Sequence, residues 1–252
     1  MSRLLTLGVL SQQAYLPETI ALINRMSAKP TSERAILINS VIKALKDNNL
    51  WPKIDVLRVR AAHDHQATML NWKGDFANAT TVNNPIFDLD RGVRGIVNNS
   101  YYESNFNPSS GNYKFTKDNS MLLVYNNLNG TTSYFINSVT AVGSSRMYHN
   151  GAAMYGTLTA LSTVNANDAN TNKLGFRWIR RPNSAQLQFG TDLTPNNLFS
   201  RASAPIPNQS FTEVNGPVRQ AICMYSEYFN DNEMSAFQAI MLNYLSQIGA
   251  AL

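Results

Sequence analysis

The chain of 252 residues is 44% hydrophobic and 10% aromatic, which is enough apolar material for a sizeable core and argues against global disorder. The net charge of +5 comes from lysines and arginines that are scattered rather than gathered into a basic stripe, which argues against a nucleic-acid partner. The single cysteine, Cys223, excludes an intrachain disulfide framework and an all-cysteine zinc site, and we predict it to be buried.

The first ten residues are apolar and carry Arg3, as a secretory signal does. No small-residue cleavage site follows before Gln12 and Gln13, so we predict synthesis in a cytoplasm rather than export by this route. No apolar run reaches the length of about 18 residues that a spanning helix needs, and membrane insertion is therefore not predicted.

Residues 1–54 are predicted to form an N-terminal helical region. Between Leu16 and Lys53 apolar residues recur at helical spacing, with Pro17 suited to a first helical turn and Thr31 placed as the N-cap of a second helix. The apolar stripe of that second helix consists of Leu37, Ile38, Val41, Ile42 and Leu45. The Trp51-Pro52 step prevents its continuation, so the pattern predicts a helical hairpin.

Beyond Ile54 the hydrophobic period shortens to two and turn residues recur about every 8 to 12 positions, which predicts an antiparallel sandwich or barrel. The predicted strands are Val56–Arg60, Ile86–Leu89, Gly95–Val97, Ser120–Tyr125, Ser133–Asn137, Arg146–His149, Leu174–Arg180, Gln186–Phe189 and Ala221–Tyr225. Asn129-Gly130 and Asn150-Gly151 are dipeptides typical of hairpin turns.

About thirty asparagines are spread along the chain. Asparagine tolerates left-handed backbone conformations, so this enrichment predicts many tight connections between short strands. Uncharged amides also suit a surface that meets neutral sugars or identical neighbours. A codon bias of the genome explains the same enrichment equally well.

A closing amphipathic helix is predicted over residues 231–248. Asn230 is placed as its N-cap with Glu233 reaching back in a capping box, and Gly249 stops it. The apolar face consists of Phe237, Ile240, Met241, Tyr244, Leu245 and Ile248. This apolar face must be buried against another surface, which would be the sandwich, the N-terminal helices or a neighbouring subunit.

Residue patterns for catalysis are scarce in this chain. Three histidines, no Gly-x-Ser-x-Gly turn and a cysteine without an enzyme context argue against nucleophilic catalysis. The few carboxylates are dispersed and lack the E-x-D-x-x-E pattern of jelly-roll glucanases, which argues against a glycoside hydrolase. We therefore predict a protein that is not an enzyme and needs no cofactor.

Two short segments carry residue types that bind metals. His63-Asp64-His65 would place two imidazoles on one strand face, although solvent-facing polar residues at a strand end are the commoner explanation. Asp88 and Asp90 project to one side of a strand and could accept Ca²⁺, although such carboxylates more often face water or Arg91. We predict no metal site and keep Asp88 and Asp90 as its only candidates.

Candidate sugar-binding residues are aromatics next to amides or arginines. They are Tyr102, Tyr148, Arg177 and Trp178. An aromatic face can stack on a pyranose while amides satisfy the sugar hydroxyls. Arg177 and Trp178 form a dense spot with Arg180 and Arg181 that could hold a phosphate or an acidic sugar. The alternatives are that the aromatics belong to the core and that the arginines alternate along an exposed strand face.

Several segments share their order and spacing with a known group of proteins. They are residues 50–57 (LWPKIDVL), 61–64 (AAHD), 70–73 (LNWK), 79–92, 105–108 (NFNP) and the helix end at 248–251. Together they resemble tailed-phage and prophage proteins with concanavalin A-like, LamG-type jelly rolls, of the tail-fibre and virion appendage type. Residues 93–101 depart from the glycine-rich sequence of that group, so no shared ligand is carried over.

The resemblance implies a mainly β protein with an antiparallel, concanavalin A-like jelly-roll domain over residues 55–252. It also implies a virion protein that is synthesised in the cytoplasm of a bacterial host, and it provides no catalytic residues. The first hypothesis is a fibre, spike or capsid-decorating component that forms homo-oligomers, joins other virion proteins and binds host-surface polysaccharide. The second is a purely architectural assembly protein without glycan binding, and the third is a glycan-degrading enzyme on the same fold.

Overall fold

The computed structural model describes residues 14–96, 99–130, 133–141, 143–150, 153–165, 174–192 and 197–252. The signal-like segment at residues 1–10 lies outside the described residues. Among the helices of the described ranges, none has the length and hydropathy that crossing a membrane requires.

The helices are α1 (Pro17–Arg25), α2 (Ser32–Asp47), α3 (His65–Met69) and α4 (Asp231–Gln247), and a 3-10 turn covers Trp51–Lys53. The strands are β1 (Ile54–Val59), β2 (Thr80–Val82), β3 (Ile86–Asp88), β4 (Gly92–Arg94), β5 (Tyr101–Glu103), β6 (Ser120–Leu128), β7 (Ser133–Thr140), β8 (Gly143–Asn150), β9 (Ala153–Ala160), β10 (Val164–Asn165), β11 (Gly175–Asn183), β12 (Gln186–Thr191), β13 (Asn197–Ser200), β14 (Thr212–Asn215) and β15 (Arg219–Ser226).

The strands form two antiparallel sheets that pack face to face. Sheet A has the spatial order β13-β12-β11-β6-β15-β4-β3, and β1 also pairs with β15. Sheet B has the order β10-β9-β8-β7-β14-β5-β2. With α1, α2 and α4 against sheet A, the molecule is a mainly β, antiparallel jelly-roll sandwich with an N-terminal helix pair and a C-terminal helix, which confirms the predicted fold class.

Alternation along the strands of sheet A builds two separate cores. On β6, Met121, Leu123 and Tyr125 pack with the helices, whereas Leu122 and Val124 pack towards sheet B. The helix-side core includes Leu22, Ile42, Leu45, Phe237 and Leu245, all 0% exposed. Each such fully buried side chain contributes roughly 1.5–3 kcal/mol of burial free energy. The apolar face of α4 is therefore covered by its own sandwich and by the N-terminal helices.

Local capping explains where the helices begin. Thr31 accepts a hydrogen bond from the backbone of Arg34 at the start of α2, and Asn230 with Glu233 forms the predicted capping box of α4. Asn39 of α2 accepts hydrogen bonds from the backbone of Leu16, the N-cap of α1, at 2.8 Å and from the Thr19 hydroxyl of α1 at 2.9 Å. The buried side-chain amide of Asn39 thereby holds α1 against α2.

Several asparagines occupy the backbone conformation that the sequence predicts for turns. Asn83 and Asn84, between β2 and β3, have φ values of 53° and 52°, and Asn105 also has a φ of 52°. The prediction of a hairpin at Asn129-Gly130 is wrong, because β6 before it belongs to sheet A and β7 after it belongs to sheet B. At Asn150-Gly151 the flanking strands β8 and β9 do pair, although Gly151 is outside the described residues.

Other strand predictions needed tertiary information. The strand expected at Gly95–Val97 lies earlier, as β4, and Val97 is outside the described residues. Six short or weakly patterned strands were not predicted, namely β2, β5, β9, β10, β13 and β14. Five of them have only two to four residues, too few for a period of two to be recognised, and in β9 the glycine at position 156 interrupts the apolar alternation.

Candidate functional site

Three tyrosines form a row across the outer face of sheet B. Tyr134 lies on β7, Tyr148 on β8 and Tyr155 on β9, and the strand register places Tyr148 opposite both neighbours. The ring centroids of Tyr134 and Tyr148 are 5.1 Å apart with planes inclined by 31°, and those of Tyr148 and Tyr155 are 5.3 Å apart with planes inclined by 15°. These rings form one cross-strand stack, which we call the tyrosine row.

The tyrosine row faces outward because side chains alternate across a strand. On β8, Met147 and His149 are 0% exposed between the sheets, whereas Arg146 and Tyr148 are half-buried on the opposite face. No hydrogen bond joins the three tyrosine hydroxyls to another residue in the part of the chain that the structure describes. The row therefore presents ring edges, apolar ring surface and three hydroxyl groups to any ligand lying on the sheet.

Arg146 adds a positive charge beside the tyrosine row. Its guanidinium carbon lies 5.2 Å from the centroid of the Tyr148 ring, and Nη2 donates a hydrogen bond to the Thr163 hydroxyl. The register places Asn137 of β7 next to Arg146 on the same face. An amide and a guanidinium thus lie along one side of the aromatic strip, an arrangement that can bind polar groups of a ligand whose apolar parts contact the rings.

A groove of about 530 Å³ lies between α1 and the loop at residues 72–75. Its cations already hold the loop in place, because Arg25 donates to the carbonyls of Asn71 at 2.8 Å and Gly74 at 2.9 Å, and Lys73 donates to the carbonyl of Trp51 at 2.5 Å. Burial lowers the pKa of the Lys73 ammonium to about 8. We rank this groove behind the tyrosine row because its charged groups are committed to structural contacts.

Of the predicted sugar-binding residues, only Tyr148 lies on the tyrosine row. Tyr102 is 0% exposed, its ring lies 4.3 Å from the Arg60 guanidinium, and its hydroxyl is 2.9 Å from Nε2 of His65. Burial raises the pKa of Tyr102 to about 12. Tyr102 therefore belongs to the core, which is the alternative stated for the candidate aromatics, and it offers no surface for a ligand.

The arginines around Trp178 are also buried, which corrects the prediction of an exposed strand face. Trp178 is 3% exposed on the helix side of β11, and its indole fills the space above Gly190, where an added Cβ would lie 1.8 Å from the ring. Arg177 is 0% exposed and donates to the Phe176 carbonyl at 2.7 Å. Neither Arg177 nor Trp178 offers a surface for a ligand in this structure.

Arg180 and Arg181 bind protein groups on opposite faces of sheet A. Arg180 forms an ion pair with Asp231 at the start of α4, donates to the Phe229 carbonyl at 2.6 Å and stacks 4.6 Å from Trp178. Arg181 donates to the Leu158 carbonyl of sheet B at 2.9 Å. Arg180 therefore attaches α4 to sheet A, and Arg181 joins the two sheets.

The residues considered for metal binding have protein partners. Asp88 accepts hydrogen bonds from Arg94 and Arg219, each at 3.2 Å, and Asp90 forms an ion pair with Arg34. Among the described residues, no three His, Cys, Asp or Glu side chains are grouped for a metal ion.

The histidine segment is also arranged differently from its predicted strand end. Asp64 is the N-cap of α3 and accepts a hydrogen bond from the Ala67 backbone at 3.3 Å. His63 contacts the Ala28 carbonyl at 2.9 Å, whereas His65 contacts Tyr102. The two imidazoles therefore have separate partners rather than a shared ligand.

The sequence pattern did not predict a buried ionic cluster that lies between the sheets. Arg58 and Arg60, on and just after β1, form ion pairs with Glu213 of β14, and the three side chains are 0% exposed. The Tyr225 hydroxyl donates to the same carboxylate. Burial alone would raise the pKa of Glu213, but the two guanidinium groups and the hydroxyl outweigh it and lower that pKa below its ordinary value. The cluster joins sheet A to sheet B.

Sequence reasoning also missed three members of the site. β9 was not predicted, so Tyr155 had no assigned face, and Tyr134 and Arg146 were not singled out although both lie on predicted strands. The available signal was the spacing of Arg146 and Tyr148 on one predicted strand. The pairing that aligns the three rings is set by sheet register, which a single sequence does not specify.

Solved structures provide the comparisons for this fold, since no family model and no curated protein matches the chain. One solved structure, described as "Cell entry of botulinum neurotoxin type C is dependent upon interaction with two ganglioside molecules", is similar with a TM-score of 0.55 and 12% identity, over 76% of this chain and 52% of that chain. The receptor-binding domain of botulinum neurotoxin C/D mosaic serotype is similar with a TM-score of 0.52 and 8% identity, over 75% of this chain and 52% of that chain.

These likenesses show the fold alone. The chain spans about half the length of the solved structures it matches. Their similarity in fold agrees with the two-sheet architecture described above.

Proposed function

We propose that the chain is a non-catalytic glycan-binding module and that its ligand lies on the tyrosine row. The observation that carries this proposal is the outward stack of Tyr134, Tyr148 and Tyr155 across three adjacent strands. Contiguous aromatic surface at a protein exterior often marks a binding site. The hydroxyls and the neighbouring amide of Asn137 match the hydroxyl groups of a saccharide.

One further observation supports glycan binding. The neurotoxin type C structure with the same two-sheet fold is described by its interaction with ganglioside molecules, which are glycan-bearing lipids. For this chain the glycan ligand is our proposal.

Replacing Tyr148 by alanine should weaken retention on host-surface polysaccharide by about threefold to tenfold. The central ring contacts both outer rings, so its loss removes one stacking partner and leaves the other two unsupported, and an aromatic pair is worth about 0.5–1.5 kcal/mol. Affinity gel electrophoresis through gels containing the polysaccharide measures the change. Tyr148→Phe, which keeps the stack and removes one hydroxyl, should give a smaller loss.

The matched control is Tyr15→Ala, which removes a half-buried tyrosine on the helical side of the molecule. It should leave retention unchanged. Equal losses in the two variants would count against the tyrosine row. If the unmodified protein were retained on no host-surface polysaccharide, the binding role would fall and the purely architectural role would remain. Release of reducing sugar from the polysaccharide would support the enzyme instead.

We also infer that this module belongs to a tailed-phage virion, as a fibre, spike or capsid-decorating component. The support is the sequence resemblance of residues 50–108 together with a jelly-roll fold suited to outward display. Electron micrographs of purified virions labelled with an antibody against the chain should show particles decorated at one fixed position. Virions that carry no label, with the protein only in the lysate, would refute the assignment.

Homo-oligomerisation and contact with other virion proteins belong to the same proposal. Single sites with roughly millimolar affinity become useful when several copies bind one surface, because linked sites raise the effective concentration. The division into a helical region at residues 1–54 and a jelly roll at 55–252 remains a prediction.

A further inference from the structure

Among the residues that the structure describes, no carboxylate neutralises the charge of Arg146. Its Nη2 bonds to the neutral hydroxyl of Thr163 and its guanidinium stacks on Tyr148. Its Nε is inaccessible and has no hydrogen-bond partner. Within the described part of the chain, no carboxylate pairs with Arg146.

Several other arginines of this chain have a carboxylate partner. Arg34 pairs with Asp90, Arg180 pairs with Asp231, and Arg94 and Arg219 share Asp88. Arg146 differs from these in that it stands on the exposed face of sheet B and next to the aromatic surface proposed to hold the ligand. The charge is thus placed where a ligand, rather than the fold, can compensate it.

We propose that the tyrosine row with Arg146 selects saccharides that carry an anionic group, a carboxylate or a sulfate. This inference rests on the proposed glycan binding and specifies its ligand class. The sugar ring contacts the edge of Tyr148, and the anionic substituent lies over the guanidinium, where a planar fork of donors matches two anionic oxygens. The half-buried setting keeps part of this attraction at physiological salt.

Three polymers with one backbone separate charge from sugar identity. Retention is measured by affinity gel electrophoresis on dextran, carboxymethyl-dextran and dextran sulfate at about 0.15 M salt, where exposed charges are largely screened beyond about 8 Å. We expect retention on at least one anionic polymer to exceed retention on dextran by about fivefold to tenfold, which is within the range of one typical net hydrogen bond. The two anionic polymers distinguish carboxylate from sulfate.

Arg146→Gln removes the charge and keeps hydrogen-bonding capacity. It should bring retention on the anionic polymers down to the dextran level, while Arg146→Lys should keep part of the preference because it retains the charge and loses the planar fork. The matched control is Lys43→Gln, which removes one positive charge from α2 on the opposite side of the molecule. Lys43→Gln should keep the full preference for the anionic polymers over dextran. Thermal unfolding is measured for each variant to check that it is folded.

The outcomes separate this inference from the proposed function. Equal retention on dextran and the anionic polymers would overturn the anionic selectivity and leave glycan binding in place. A preference lost equally in Arg146→Gln and Lys43→Gln would also overturn it, because general attraction to a basic protein would then explain the result. Absence of retention on any polysaccharide, including host-surface material, would instead overturn the glycan-binding proposal itself.

Discussion

Replacing Glu213 by glutamine is expected to lower the free energy of unfolding by about 3–5 kcal/mol, the usual cost of breaking a buried ion pair from one side. Glu213 accepts hydrogen bonds from Arg58, Arg60 and Tyr225 in the interior between the sheets, where all four side chains are inaccessible. The substitution leaves two guanidinium groups buried without a negative partner. Urea denaturation followed by tryptophan fluorescence measures the loss.

The same cluster sets the direction of the acid dependence. Because the folded pKa of Glu213 is lowered, its stabilising contribution is complete above the ordinary glutamate pKa of about 4.3 and is lost as the pH falls through the lowered folded value. The difference in stability between the unmodified protein and Glu213→Gln should therefore shrink in acid.

The matched control is Glu103→Gln on the neighbouring strand β5. Burial, with a smaller contribution from the charge of Glu213, raises the pKa of Glu103, so a neutral amide replaces a carboxyl group that already tends to be neutral. We expect a change below about 1 kcal/mol. Similar losses in the two variants, or no loss in Glu213→Gln, would show that the ionic cluster does not join the sheets.

Replacing Trp178 by alanine is expected to cost about 3–5 kcal/mol of unfolding free energy, as deletion of a core aromatic usually does. The indole is 3% exposed, packs in the helix-side core and supports the Arg180 guanidinium 4.6 Å away. Its removal would leave a cavity between β11, β12 and the helices, which surrounding side chains fill only in part. The midpoint of thermal unfolding, together with urea titration, measures the effect.

Tyr155→Ala provides the comparison, since it deletes a half-buried aromatic from the outer face of sheet B. We expect it to cost about 1 kcal/mol or less in stability while weakening glycan retention. Trp178→Ala should show the reverse pattern at temperatures where it remains folded. Loss of retention in Trp178→Ala with unchanged stability would restore the interpretation of Trp178 as a sugar platform.

The helical ends of the molecule were determined largely by local sequence. Thr31 and the Asn230 with Glu233 capping box mark the starts of α2 and α4 because a cap needs only the residues of one turn. The apolar stripes of both helices also identified their buried faces. Turn asparagines such as Asn83 and Asn84 follow the same logic, since their left-handed backbone depends on the residue type itself.

The site depended on tertiary structure, because it is formed by pairing between strands and by burial. Tyr148 was identified from the sequence, but its stacking with Tyr134 and Tyr155 results from sheet register. The charge pattern around Trp178 indicated an exposed face, whereas β11 is covered on both sides, by the helices and by sheet B. Arg180 and Arg181 can be buried there because carbonyl groups and one carboxylate distant in sequence accept their hydrogen bonds. Hydrogen-bond and ion-pair partners that come from other strands and helices cannot be read from the local sequence. Only the tertiary structure therefore shows that the tyrosine row faces outward and that these arginines are buried.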